Sequence, residues 1–176
     1  FNKINIGKNI IVFGNLPYNI STQILASFML ISKWPVWYEE LIFMFQKELA
    51  ERIIATENTK NYGRLSVLCN WRMNIVKHFD ISKNCFKPKP KISSTVLSFK
   101  PKNEYKYNLK DPKNLETVTR TLFSNRRKII KKNFLKLFKN NLPLANELNL
   151  DLKKRPGELS KETFYKIAAK YEELFC

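Results

Sequence analysis

Short unbroken apolar runs alternate with longer periodic ones over the first hundred residues. NIIVFG, residues 9–14, is continuous and β-branched, which predicts a strand covered on both faces. After the corner at Pro17, Ser21 or Thr22 is placed to cap a helix running to about Ile31, with Ile24, Leu25, Phe28 and Ile31 on one side. LIFMF (41–45) predicts a second buried strand and QKELAERIIA a second helix. RLSVLCNW fits helix or strand by pattern alone; the polar entry at residues 60–63 favours helix. Strand, helix, strand, helix is the order of a parallel α/β sheet. NIVKHFDI and STVLSFK then read as two consecutive strands joined by NCFKPKPKIS, and with no helix between them they predict an antiparallel sheet edge.

Beyond Lys100 the pattern changes. PKNEYKYNLKDPKN, residues 101–114, has little apolar content and reads as a linker, with Asp111 as N-cap and Pro112 at the first helical position. LETVTRTLF, RRKIIKKNFLKLF, LANEL and KETFYKIAAKYEELF all carry helical spacing and no strand pattern follows. The expected organisation is an α/β part over residues 1–101 and a small all-helical part over residues 102–176.

Charge narrows the class of partner. The 176 residues carry a formal charge of +17, far beyond what solubility requires, so a polyanion is expected: nucleic acid or an anionic membrane surface. Lys33 and Glu39 interrupt the longest apolar stretch well before the roughly 20 residues of a membrane span. Cys69, Cys85 and Cys176 are odd in number and lack CxxC spacing, which fits packing thiols in a reducing, cytoplasmic setting. His78 has no second ligand nearby in sequence, and no metal is implied.

The basic residues are concentrated. From Arg126 to Lys139 there are seven cations and no acid: Arg126, Arg127, Lys128, Lys131, Lys132, Lys136 and Lys139. On a helix turning about 100° per residue, Ile129, Ile130, Phe134, Leu137 and Phe138 fall on one half and most lysines on the other. Lysines at i,i+4 repel, so an anionic partner is favoured over a merely solvated face, and RNA-backbone contact is expected. Arg126 and Arg127 fall at the helix start on its apolar side, directed toward the cleft of the α/β part.

The corner Asn15-Leu16-Pro17-Tyr18 stands where the first strand ends, the position at which open α/β sheets place their chemistry. Asn15 can accept a hydrogen bond through Oδ1 and Leu16 through its carbonyl, whose direction the following proline restricts. Tyr18 adds a stacking face. Two neighbouring acceptors beside a ring suit the exocyclic amine of an unstacked nucleobase. The adenine amine is a poor nucleophile because its lone pair is conjugated; paired acceptors favour the pyramidal geometry it needs to attack an electrophilic methyl, and fixed orientation adds to the gain. FKPKPKISST, residues 86–95, is stiff and extended, so Phe86 is placed to cover the opposite face of such a base.

NLPYNIST, QKELAERI, YGRLSV, FKPKPKISST, LFSNRRKIIKKNF and RPGELSKETF, in this order and spacing, resemble the small-subunit rRNA adenine dimethyltransferases of the KsgA type along nearly the whole chain. The resemblance implies a class I, Rossmann-like methyltransferase fold, S-adenosylmethionine as methyl donor, and two methylations on each of two adjacent adenosines near the 3′ end of small-subunit rRNA during ribosome biogenesis. It also implies a monomer for the native full-length form. Carried over, Asn15 and the Leu16 carbonyl hold the amine, Asn15 also borders the donor, Pro17 shapes the corner, and Tyr18 and Phe86 enclose the base. Alternatives are the large-subunit methyltransferase of macrolide resistance, which shares the corner, and a non-catalytic nucleic-acid-binding relative such as the mitochondrial transcription-factor branch. The family's glycine-rich donor loop and its acidic partners have no counterpart among Gly7, Gly14, Gly63 and Gly157. The chain therefore reads as a fragment entering just before the fourth strand of the family sheet, with an exposed sheet edge, and inactive alone.

Overall fold

The structure, a computed structural model, describes residues 10–176. Four strands, β1 (Ile11–Asn15), β2 (Glu40–Gln46), β3 (Met73–Ile81) and β4 (Ser94–Pro101), form one sheet in the order β1-β2-β4-β3. β1 and β2 are parallel; β4 runs antiparallel to both β2 and β3. The parallel pair is separated by helix α1 (Ser21–Met29), whereas α2 (Lys47–Ile54) and α3 (Arg64–Arg72) follow β2 and lead directly into β3.

All three helices cover the same face. Leu41, Phe43 and Phe45 of β2 and Leu97 and Phe99 of β4 point there and pack on Leu25, Met29, Ala50, Ile53 and Cys69. On the other face, cross-strand pairing lines up Phe13, Ile42, Ser98 and Val76 in one row and Asn15, Met44, Val96 and Phe79 in the next. This corrects the expectation that the first strand is covered on both sides: Phe13 is 72% exposed. β1 is an edge strand of the described sheet, and the helices are all spent on the opposite face. Asn9, included in the predicted strand, lies outside the described residues. Ser21 does not cap α1 either. Ile20 takes the N-cap position, and the Ser21 hydroxyl instead donates to the Tyr18 carbonyl at 3.1 Å, tying the helix back to the corner.

Helices α4 (Pro112–Leu122), α5 (Lys131–Leu137), α6 (Pro143–Glu147) and α7 (Lys161–Phe175) build a second core around Leu115, Val118, Leu122, Phe134 and Phe164. Asp111 caps α4 through its side chain, accepting from the Lys113 amide, and Pro112 occupies the first turn. The second core also takes Val67, Leu68 and Trp71 from α3, while Leu65 and Cys69 of the same helix serve the sheet core. α3 is buried nearly all round, its polar Ser66 and Arg72 included, because it is packed from two sides. Hydroxyls stitch the parts together: Tyr62 donates to the Leu159 carbonyl and Tyr165 to the Val67 carbonyl, both at 2.9 Å.

The connecting segment is anchored as well. Arg72, only 2% exposed, stacks its guanidinium 3.9 Å from the centre of the Trp71 ring, with the rings of Trp34 and Tyr105 at 5.1 and 5.2 Å. It donates to the carbonyls of Ile31 and Leu109, so one cation links the end of α1, the end of α3 and the connection.

Farther along, Glu172 of α7 accepts from the backbone amides of Lys110 and Asp111 and from the Asn114 amide at 2.7, 2.9 and 2.8 Å. Burial opposes its ionised form, but these three donors outweigh it and lower its pKa below the ordinary glutamate value. A carboxylate with a depressed folded-state pKa contributes stability above its unfolded value, and that contribution is lost as pH falls through the folded value. Melting temperatures followed downward from pH 6 are therefore expected to fall less steeply for Glu172→Gln than for the parent chain below the unfolded glutamate pKa of about 4.3. Parallel curves would remove Glu172 from the acid response.

The basic run from Arg126 to Lys139 is not one helix. A 3₁₀ turn at Phe123–Asn125 is followed by non-helical chain, and regular helix resumes only at Lys131. The cause lies outside the run: the Ile130 amide donates to the Lys154 carbonyl at 2.9 Å, and the Arg126 guanidinium is held by the Thr59 and Lys60 carbonyls. Ile130, Phe134, Leu137 and Phe138 are buried as expected, but Ile129 is exposed.

Candidate functional site

β1 ends with its side-chain row leading straight into the corner. Gly14 is required there by close packing: a methyl group at its Cα would come within 2.9 Å of both Leu16 Cδ2 and Phe43 Cδ1. The tight fit seats the Leu16 side chain in the core, so Asn15, Pro17 and Tyr18 on either side of it are left exposed. The Asn15 side chain makes no hydrogen bond to another described residue, which leaves both its donors and its acceptor available.

A cleft of about 310 Å³ opens at this point, lined by Asn15, Leu16, Pro17 and Tyr18 of the corner, Met44 of β2, and Phe86, Pro88 and Pro90. It lies at the carboxyl ends of the parallel strands β1 and β2, beside the start of β4. Two segments about seventy residues apart in sequence thus meet across one slot. The Tyr18 hydroxyl lies 3.0 Å from Ser94 Oγ, and Ser94 is fully buried at the first position of β4. That hydrogen bond fixes the tyrosine ring relative to the segment carrying Phe86. Sequence reasoning did not single out Met44 or Ser94, and it read Pro88 and Pro90 only as stiffening the segment that carries Phe86. The prolines stand inside the quoted FKPKPK motif, but nothing local marks Ser94 as a tyrosine partner.

The seven basic residues of the 126–139 run do not line this cleft. All are exposed, and Lys139 places its ammonium 4.9 Å from the centre of the Phe175 ring. Arg126 borders a second cleft of about 330 Å³ between α1, α3 and the helical part, together with Arg52 and Arg64. Arg64 is 3.6 Å from Glu116; no acid pairs with Arg52 among the described residues. Arg52 and Arg64 were also missed, because neither belongs to a local run of cations: Arg52 sits in the mixed-charge helix α2 and Arg64 stands alone at the start of α3.

The chain matches the profile described as "Ribosomal RNA adenine dimethylase" over residues 1–173. It belongs to the ribosomal RNA adenine dimethylase family. Among its relatives, "Ribosomal RNA small subunit methyltransferase A" of Pelagibacter ubique is 48% identical over 163 residues, covering 93% of this chain and 62% of the relative. The protein of the same name from Rhizobium etli is 39% identical over 158 residues, covering 89% of this chain and 56% of that one. The chain thus spans less than two thirds of these relatives' length. Among solved structures, a dimethyladenosine transferase from Plasmodium falciparum superposes with a TM-score of 0.71 at 26% identity, over 92% of this chain and 66% of that one. The 23S rRNA methyltransferase ErmE superposes with a TM-score of 0.62 at 17% identity, over 96% and 67%, a likeness of fold alone. The dimethylase fold is Rossmann-like with a helical C-terminal part, and the mixed sheet, its helices and the α4–α7 bundle described above conform to it.

Proposed function

We propose that this chain carries the acceptor side of an rRNA adenine dimethylation site, with the corner cleft receiving an unstacked adenine of small-subunit rRNA. The observation that supports it most directly is the cleft itself, which is lined by Asn15, Leu16 and two aromatic residues, Tyr18 and Phe86. In this reading Oδ1 of Asn15 and the Leu16 carbonyl accept the two hydrogens of the adenine amine, turning its nitrogen lone pair away from conjugation with the ring. Tyr18 and Phe86 stack on the two faces of the base. Ser94 holds the tyrosine in register, so the orientation is established before the base arrives.

S-adenosylmethionine is the donor that the family resemblance implies. The described residues do not fit it by themselves. The cleft wall has no carboxylate to hold a ribose diol, and the space over Gly14, where a small residue would admit a ligand, is filled by Leu16 and Phe43. No step is therefore derived through the donor, and this chain's share is to select, orient and hold the amine. The exposed cations from Arg126 to Lys139, with Arg52 and Arg64, supply the contacts to RNA phosphates in this reading.

Single-stranded RNA containing adjacent adenosines is the test ligand. Stacking on an aromatic is worth about 1 to 3 kcal/mol per base, so Tyr18→Ala and Phe86→Ala are each expected to weaken binding by roughly tenfold or more in fluorescence anisotropy. Variants that bind this RNA like the parent chain would remove the base slot and the function built on it.

A further inference from the structure

The segment that closes the base cleft has a second side. Phe86, Pro88 and Pro90 face the slot, and between and after them stand Lys87, Lys89 and Lys91, all exposed, with Lys83 one turn earlier. None of these four lysines forms an ion pair among the described residues. The surrounding sequence offers them none: Asp80 is the sole acid between Glu57 and Glu104. Asp80 is already committed. It accepts from the Thr95 hydroxyl at 2.7 Å and lies 3.0 Å from the Lys77 ammonium and 3.4 Å from that of Lys47. These contacts hold its carboxyl down at about 2, so it stays ionised and saturated with cations through the physiological range.

Four ammonium groups without an ion-pair partner on so short a stretch repel one another, and an anionic ligand relieves that repulsion. Their location says which one. A base seated between Tyr18 and Phe86 would leave its ribose and flanking phosphates outside the slot, next to the segment on which these lysines are exposed. We propose that Lys83, Lys87, Lys89 and Lys91 form a rail for the phosphates of single-stranded RNA immediately flanking the target base, distinct from the basic surface of the helical part. The segment would then act twice, its prolines and phenylalanine gripping the base and its lysines the backbone that carries it. The proposal rests on the reading of the cleft as a base site, and the two are separable by experiment.

Each phosphate neutralised on a single strand contributes about 0.7 to the slope of log affinity against log salt. The triple variant Lys87→Gln, Lys89→Gln, Lys91→Gln is expected to bind a single-stranded RNA with adjacent adenosines more weakly and with a salt slope shallower by about 2. Equal neutralisation of Lys106, Lys110 and Lys113, on the connecting segment and the start of α4, is expected to leave the slope unchanged. An RNA with purine riboside at the target positions lacks the amine but keeps every phosphate, so the rail variant is expected to lose the same slope on it. An unchanged slope in the rail variant, or an equal loss in the control variant, overturns the rail. Indifference of the parent chain to the missing amine overturns the base reading instead. Unchanged melting temperatures for both variants establish that charge, not folding, was altered.

Discussion

Asn15→Ala is expected to abolish most of the chain's preference for adenosine over purine riboside in single-stranded RNA while leaving general RNA affinity nearly intact. The amine is the only group that distinguishes the two bases, and a paired hydrogen-bonding contact to a base edge is worth about 1 to 3 kcal/mol of discrimination. A loss near the middle of that range is roughly 30-fold. Asn15 is suited to this because its amide is exposed in the cleft wall and makes no hydrogen bond to another described residue, so no internal partner competes for Oδ1. Asn15→Asp is the sharper variant. It keeps the acceptor, places a negative charge beside an amine that has only hydrogens to offer, and is expected to retain the preference that alanine loses. Titrations of both RNAs against the three proteins decide the matter; equal discrimination by the parent and the alanine variant would exclude Asn15 from amine recognition.

The largest stability effect is expected at Arg72. Truncation to alanine removes the cation from among three aromatic rings, strips the Ile31 and Leu109 carbonyls of their donors and leaves a cavity where the side chain was. Desolvated cation–π contacts of about 2 kcal/mol, together with charged hydrogen bonds of about 1.5 to 3, place the net loss near 4 kcal/mol. For a chain of this size that is a fall in melting temperature of roughly 12 °C. Arg72→Lys is expected to recover little, because a compact ammonium neither stacks on Trp71 nor reaches two carbonyls at once. Calorimetry showing a shift under about 3 °C for the alanine variant would demote the clamp to incidental packing.

Periodic signals of sufficient length were readable from sequence. The two-residue alternation of NIVKHFDI and STVLSFK led to β3 and β4, and the missing helix between them led to their antiparallel pairing. Asp111 and Pro112 announced the start of α4 by local chemistry alone. What sequence could not supply was the identity of distant partners. The apolar character of IIVF is that of a strand buried on both faces, yet Phe13 projects from the uncovered one, because composition specifies a preference for burial and not what provides it. The amphipathic spacing of RRKIIKKNFLKLF is sound over residues 130–138, but its first turn is diverted by carbonyls at residues 59, 60 and 154. At the candidate site the same division holds. Asn15, Leu16, Pro17 and Tyr18 form a contiguous word, whereas the bond between Tyr18 and Ser94 spans 76 positions and has no local signature. Arg72 was hidden for a related reason: a cation at the end of an apolar helix reads as a surface residue until three separate segments close over it.

The sharing of α3 between two cores has a bearing on how such a protein could be rebuilt. Val67, Leu68 and Trp71 sit in the interior of the bundle although they precede it by some forty positions, so the bundle is incomplete without a piece contributed from upstream. A chimera spliced at the polar connection would import four foreign helices onto a docking ridge shaped for others. Exchange of the bundle between relatives would have to carry the outward side of α3 with it, and the point of recombination that a reader of the primary structure would choose is the one that the packing forbids.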